Sequence, residues 1–293
     1  MSVGKFLVYA SLLLFGLIGV AAWMKKEPSP VVSIEVPLSP IEKGESPVEV
    51  DRIGALFAFD ATRLPFVETL SFTSRVPWQK DRPAWIADYA SHYGTSRHFI
   101  ARSLNGKKDY FSQKVGPGDK FNVFKRDRNL SFHLVIDLSA CKMCFYALDG
   151  QDRYLLKTYR VGLGRVDPSK SSQTLTPLGK FSLGSKVAIY KPGTLGFFQN
   201  RQTEMIRVFG TRWIPFDGDA GKGYGLHGAP WSIDPATGEL REEKSRIGKY
   251  DSDGCIRLGA EDMEEIFAIV ITKPTTVEIV RNLEEAKLPG VAK

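Results

Sequence analysis

Cysteine and histidine are scarce in this chain of 293 residues, which carries three of the first and four of the second. Cys141, Cys144 and Cys255 are too few for a disulfide framework, and Cys255 has no cysteine near it in sequence. No further Cys/His pair stands at ligand spacing from Cys141-Lys-Met-Cys144, which argues against structural zinc. A thioredoxin-like pair would sit where a strand enters a helix, and the local pattern here is a hairpin, so a local disulfide or two buried free thiols are the alternatives left. Gly162-Leu163-Gly164 lacks the third glycine and following helix of a dinucleotide loop and reads as a turn. His92, His98 and His133 have no acidic partner close in sequence. The chain also lacks a Lys/Arg block with interleaved aromatics. Its formal net charge of +7 is spread along the sequence, so anionic phospholipid and envelope polymers are expected to attract it, and nucleic acid is not the expected partner. Nothing in the composition calls for a cofactor or a metal, and it leaves the oligomeric state open.

What the chain does have begins with an apolar run from Phe6 to Trp23, flanked by Lys5 and by Lys25-Lys26. It is long enough to cross a bilayer, and it lacks the polar stripe of a surface helix. Residues 1–25 are read as a single-pass membrane helix or uncleaved signal, with Trp23 at the interface. Val20-Ala21-Ala22 keeps a cleaved signal peptide open as the alternative. Residues 26–60 carry Pro28, Pro30, Pro37, Pro40 and Pro47 among Ser, Glu and Lys, the composition of an extended tether.

Residues 61–127 show a strand at Val67–Phe72, helical patterns at Pro83–Tyr93 and Ser96–Leu104, and a strand at Phe121–Phe124. Thr95 or Ser96 is the expected cap of the second helix. This order, with "YGTSRHFIARSLNG" followed by "VGPGDKFNVF", resembles a LysM module. The resemblance implies a small α+β, βααβ unit that binds N-acetylglucosamine-containing glycan.

From Leu130 the texture changes to short strands and turns. Phe132–Leu138 and Tyr154–Gly162 are rich in β-branched and aromatic residues, and Asp149-Gly150 is a hairpin signal. Further strands are expected at Gly179–Leu183, Met205–Val208, Gly225–His227 and Thr275–Val280. Ala260–Val270 has the apolar spacing of an amphipathic helix, with Glu261 and Asp262 in its first turn. The expectation is a mainly β domain over residues 128–283 with one short helix right after Cys255, then a tail at 284–293.

Ser252-Asp253-Gly254-Cys255-Ile256-Arg257-Leu258 is the stretch with chemistry in it, read together with Leu226-His227-Gly228. A thiol attacks as thiolate, and at an unperturbed pKa of about 8.5 it needs a base or a helix N-terminus close by. On spacing alone, a small buried hydrophobe and a structural histidine explain Cys255 and His227 as well as a nucleophile and its base do.

Four separated segments change that balance. "VIDLSACKMCFYAL", "TPLGKFSL", "YGLHG" and "RIGKYDSDGCIRL", in this order over residues 132 to 281, resemble the YkuD-type L,D-transpeptidase domain, a β-rich cysteine transferase of bacterial peptidoglycan. The resemblance implies a YkuD-like β-sandwich in which Cys255 is the nucleophile and His227 its base, oriented by the Gly228 carbonyl. The substrate implied is a peptidoglycan stem peptide, whose third residue, meso-diaminopimelate, is joined to a terminal D-alanine. Attack by Cys255 would form a thioester with loss of D-alanine, resolved by an amine of a neighbouring stem. Resolution by water, giving an L,D-carboxypeptidase, and a catalytically silent wall-binding protein are the alternatives. Backbone N–H groups of Gly254 and Cys255 are the candidate oxyanion donors, because glycine allows close approach. Arg257 either binds a stem carboxylate or holds its own loop, and Ser252 and Tyr224 are candidate substrate contacts. That substrate lies outside the cytoplasmic membrane, so an inner-membrane protein with its catalytic domain in the periplasm is expected. Two departures stand out. Asp253 replaces a histidine common in the family, adding a charge that would raise the thiol pKa. His227 and Cys255 lie unusually far apart, with residues Trp231 to Ser245 an inserted excursion that either leaves the site intact or covers it.

Overall fold

Gly150, at φ +63, turns the chain between two long strands, as the Asp149-Gly150 signal leads one to expect. The computed structural model describes residues 48–105 and 113–293. The run Phe6–Trp23 and most of the expected tether lie outside them. No helix among the described residues is long and apolar enough to cross a membrane.

The helices are α1 (Gly54–Phe57), α2 (Ile86–His92), α3 (Arg97–Asn105), α4 (Ile206–Phe209) and α5 (Ala260–Val270). The strands of the first half are β1 (Val67–Ser71), β2 (Lys120–Phe124), β3 (Leu130–Asp137), β4 (Lys142–Asp149), β5 (Asp152–Arg160), β6 (Leu163–Gly164), β7 (Gly179–Ser182), β8 (Ala188–Ile189), β9 (Leu195–Phe198) and β10 (Arg201–Glu204). Those of the second are β11 (Arg212–Pro215), β12 (Gly225–Gly228), β13 (Trp231–Ile233), β14 (Leu240–Glu242), β15 (Tyr250–Ser252), β16 (Ile256–Leu258), β17 (Thr275–Val280) and β18 (Val291–Ala292).

A six-stranded sheet in the order β18-β5-β4-β3-β17-β7 faces a four-stranded one in the order β16-β12-β11-β8. Leu134, Ile136, Phe145, Val277 and Ile279 from the first meet Ile214, Leu226, Ile256 and Leu258 from the second in one core, which Met263, Ile266 and Phe267 of α5 complete. The protein is therefore mainly β with few helices, arranged as a sandwich. The alternate side chains of the larger sheet, Val135, Cys144 and Tyr146, form a second cluster on its outer face, covered by Leu283, Ala286 and Leu288. The expected tail is thus packed, and its β18 adds a parallel edge to β5.

Upstream, β1 and β2 pair antiparallel and enclose α2 and α3, the element order read from the sequence. Helix α2 starts at Ile86 rather than Pro83, where Asp88 accepts the Trp85 N–H at 2.8 Å and pairs with Arg82 at 2.7 Å. Ser96 caps α3, accepting the Phe99 N–H at 3.0 Å, while its hydroxyl donates to the Ala268 carbonyl at the end of α5.

Three readings need correction. Residues 48–60, expected as the end of an extended tether, are folded: Ile53 and Leu56 are buried in the main core, and the Thr158 N–H donates to the Val50 carbonyl. Met205–Val208, expected as a strand, forms α4, whose Ile206 faces the interior. Gly162-Leu163-Gly164 is not a free turn but a strand, with β6 running parallel to β15.

Candidate active site

Strand β12 lies between β11 and β16, and its pairing with β16 is parallel, with Leu226 opposite Ile256, His227 opposite Arg257 and Gly228 opposite Leu258. Leu226, Ile256 and Leu258 are fully buried in the core. Side chains alternate along a strand, so His227 and Arg257 lie on the opposite face, and Cys255 immediately precedes β16. The pairing brings Cys255 to the start of the strand beside the one that carries His227, although 28 positions separate them in sequence. The helix expected directly behind Cys255 does not adjoin it, because β16 intervenes before α5 begins at Ala260. The α5 macrodipole is accordingly not what acts on the thiol.

His227 is 3 % exposed and its Nδ1 lies 2.7 Å from the Gly228 carbonyl oxygen. A carbonyl only accepts, so Nδ1 carries the proton and the lone pair is on Nε2. Burial pushes the imidazole down to about 3, against the Gly228 hydrogen bond and helped by the Arg257 charge. Cys255 is half-buried, and its Sγ donates to the Gly223 carbonyl at 3.6 Å. Burial pushes the thiol up to about 11. A backbone hydrogen bond from Gly225 and the charge of Arg257 oppose this, and Asp253 adds a smaller upward push. Asp253 is itself paired with Arg165 at 2.7 Å, which blunts its field. The resting pair is therefore thiol and neutral imidazole, so a proton must move from sulfur as the sulfur attacks.

The turn before Cys255 is held by small polar side chains. Ser252 is buried, accepts the Gly254 N–H at 3.1 Å and donates to the Cys255 carbonyl at 2.7 Å, so its hydroxyl faces its own turn and not a ligand. This also spends the Gly254 N–H that was expected to face an oxyanion. Gly254 adopts φ +119, and a Cβ there would lie 2.5 Å from Tyr224 Cε1 and 2.7 Å from the Leu175 carbonyl oxygen. Tyr224 thus serves as a wall against the turn.

Thr176, not singled out by the sequence reading although it lies in the Thr-Pro-Leu-Gly segment, is fully buried here. Its Oγ1 donates to the Gly254 carbonyl at 3.0 Å and accepts the Gly164 N–H at 2.8 Å. Arg257 donates through Nη1 to Asp251 at 2.5 Å, and Arg246 reaches the other Asp251 oxygen at 3.0 Å. Gly162 exchanges both backbone hydrogen bonds with Arg257, at 2.8 and 2.9 Å. These bonds favour the loop-holding role of Arg257, while its buried Nε has no partner.

The excursion after His227 is a hairpin of β13 and β14 followed by a 3₁₀ turn at Lys244–Arg246. Its base is tied to the site's supports: Glu242 accepts the Ala260 N–H at the start of α5 at 2.6 Å, and Glu243 pairs with Arg246. Its tip, around Pro235, is exposed. Cys141 and Cys144 are free and buried in different clusters, Cys141 in the main core and Cys144 under the carboxyl-terminal segment. His133 does have an acidic partner, Glu278 of β17 at 2.9 Å, which 145 positions of sequence conceal.

A family model for the L,D-transpeptidase catalytic domain, YkuD, matches residues 131–279. The putative L,D-transpeptidase YqjB of Bacillus subtilis is 31% identical over 117 residues, which cover 38% of this chain and 53% of that protein. The chain thus spans about half the length of that curated relative. Among solved structures, an L,D-transpeptidase from Mycobacterium smegmatis is similar at 18% identity and a TM-score of 0.30, over 56% of this chain and 64% of that one. The helical cell shape determining protein Pgp2 from Campylobacter jejuni is similar at 18% identity and a TM-score of 0.35, over 56% and 51%. The family model spans just over half of the sequence and includes both Cys255 and His227, and the chain belongs to the YkuD family of L,D-transpeptidase catalytic domains.

Proposed function

We propose that the protein is a peptidoglycan L,D-transpeptidase in which Cys255 attacks the carbonyl of the third stem residue, meso-diaminopimelate, and expels D-alanine. The observation that supports this is the parallel β12–β16 register, which brings the start of β16, next to Cys255, beside the strand of His227, whose basic nitrogen is Nε2. In the first half-reaction His227 takes the thiol proton as the C–S bond forms, then delivers it to the departing D-alanine amine. In the second, the amine of a neighbouring stem attacks the thioester, His227 takes its proton, and the thiol leaves with that proton restored. Gly228 fixes the tautomer through its carbonyl. The Cys255 N–H is the oxyanion donor in this reading, because Ser252 already takes the Gly254 N–H, and Gly254 contributes by bringing that turn close. Arg257 holds the nucleophile strand. Its side chain is 13 % exposed and already bonded to Asp251, which supports this role over carboxylate binding.

Residues 1–25 would anchor the protein in the inner membrane with the catalytic domain in the periplasm, and residues 61–127 would bind the glycan of the same polymer. The test is to incubate the full chain with a disaccharide-tetrapeptide and resolve products by mass. Cross-linked dimer is the expected product, tripeptide alone would assign water as the acceptor, and an intact stem would overturn the proposal. A carbapenem should add mass at Cys255 only, and Cys255→Ala should abolish the adduct.

A further inference from the structure

Phe209 ends α4, and Gly210 follows it at φ +61. The Phe209 ring meets the His227 imidazole edge to face, with centroids 5.4 Å apart and planes at 88°. Behind it stand Trp213 at 4.8 Å and Phe198 of β9 at 5.5 Å. Trp213 is also the cross-strand partner of His227, its ring 5.9 Å from the imidazole. Gly210 presses on the neighbouring peptide: a Cβ there would lie 2.6 Å from both the Gly228 carbonyl carbon and the Ala229 oxygen. Adjacent residues of one short helix end therefore bear on both partners of a single hydrogen bond, Phe209 on the imidazole that donates it and Gly210 on the peptide that accepts it.

We infer that Phe209-Gly210 is a positioning clamp for His227, holding the imidazole in the rotamer and tautomer that leave Nε2 basic. The inference rests on His227 being the base. The imidazole is 3 % exposed, and among the described residues its one hydrogen bond is to the Gly228 carbonyl, so packing is what fixes its rotation. A ring edge packed at right angles opposes that rotation, and the aromatic backing from Trp213 and Phe198 opposes retreat of the ring. Gly210 is the one residue type that can approach Gly228 so closely at a left-handed φ. A reactive geometry displaced by about 1 Å costs on the order of 100-fold in rate, which is the scale on which such a clamp acts.

The test uses the full chain and four variants, Phe209→Leu, Phe209→Tyr, His227→Ala and Cys255→Ala, with two readouts. One is the rate of carbapenem acylation at Cys255 followed by mass. The other is the tautomer of His227 read from its imidazole ¹⁵N shifts. Phe209→Leu keeps an apolar side chain without the ring edge, and it should slow acylation about 10- to 100-fold while mixing the tautomers. Phe209→Tyr keeps the ring and should retain both the rate and the Nδ1–H tautomer. If Phe209→Leu acylates like wild type, or slows with the tautomer unchanged, the clamp is overturned. If His227→Ala acylates like wild type, it is the base assignment that fails, and the tautomer readout still judges the clamp.

Discussion

Thr176 and Gly254, 78 positions apart, are joined by a hydrogen bond of 3.0 Å from the threonine hydroxyl to the glycine carbonyl. The same hydroxyl oxygen accepts the Gly164 N–H, so three segments converge on one buried atom immediately before Cys255. Thr176→Val keeps the shape and removes both bonds. It leaves a buried N–H and a buried carbonyl unsatisfied, at an expected cost of about 1–3 kcal/mol each, unless water enters. Urea unfolding should show that loss, and acylation of the folded variant at Cys255 should be slower because the turn is no longer pinned. An unchanged unfolding midpoint would mean the bridge carries no stability.

Gly254→Ala tests the same turn from the other side. The added methyl would meet both Tyr224 and the Leu175 carbonyl, and φ +119 is a conformation that L residues rarely adopt. Removing the ring with Tyr224→Ala relieves one contact and not the other two strains. The double variant should therefore remain much less stable than Tyr224→Ala alone in thermal unfolding.

The pH behaviour follows from the resting protonation states. With the thiol pushed up to about 11, iodoacetamide labelling of Cys255 should climb continuously above neutral pH. A plateau between pH 5 and 8 would show a stable thiolate–imidazolium pair instead. For stability, His227 is held down to about 3 in the fold, whereas the unfolded chain takes up its proton near the ordinary value of 6.5. Below 6.5 the unfolded state binds more protons, so this residue's contribution is full above that pH and is lost as pH falls toward 3. His98, held down to about 4 by burial and then by Arg212 and Arg97, acts in the same direction. Urea midpoints between pH 7 and 4 should thus fall less steeply in His227→Gln than in wild type.

Local pattern carried much of the architecture. The spacing of apolar side chains in Ala260–Val270 places α5 at the residues it occupies, and the alternation in Thr275–Val280 does the same for β17. Met205–Val208 misled because a short apolar run has no length from which to read a period, and its conformation is settled by packing beside β13 and Gly228. The Ser252 hydroxyl took the Gly254 N–H for a reason seen only in three dimensions: the turn folds back on its own side chain. Thr176 and Glu278 were missed as partners because their contacts span 78 and 145 positions, and no local signal reports such pairings.

Glu278 provides a test of the outer face. Its carboxylate accepts from the Lys287 N–H at 3.1 Å, pairs with buried His133 and reaches Lys180 at 3.4 Å. Glu278→Gln keeps the size and removes the charge, at an expected cost of about 1–3 kcal/mol for bonds to a charged group. The segment docked through Lys287 should loosen first. Trypsin cleavage after Lys287 should accelerate in the variant before the rest of the chain is cut, and uniform cleavage would disprove local docking.

Asp251 is the remaining support of the nucleophile strand, and its two oxygens divide between Arg257 and Arg246. Arg257 is more buried than its partner, with side-chain exposures of 13 % and 31 %, so the pair is sheltered enough for its charge to matter but not fully desolvated. Asp251→Asn turns an accepting oxygen into a donor facing a guanidinium and strips the compensating charge from Arg257. The loss expected on unfolding is about 1–3 kcal/mol. The uncompensated Arg257 charge should then act more strongly on Cys255, where it favours the thiolate. Iodoacetamide labelling of Asp251→Asn should therefore begin at lower pH than in wild type, even as acylation by the carbapenem slows because the strand is less firmly held. Asp251→Glu, which restores the charge, should return the labelling profile toward wild type. Matching profiles in all three proteins would show that Arg257 does not set the reactivity of Cys255.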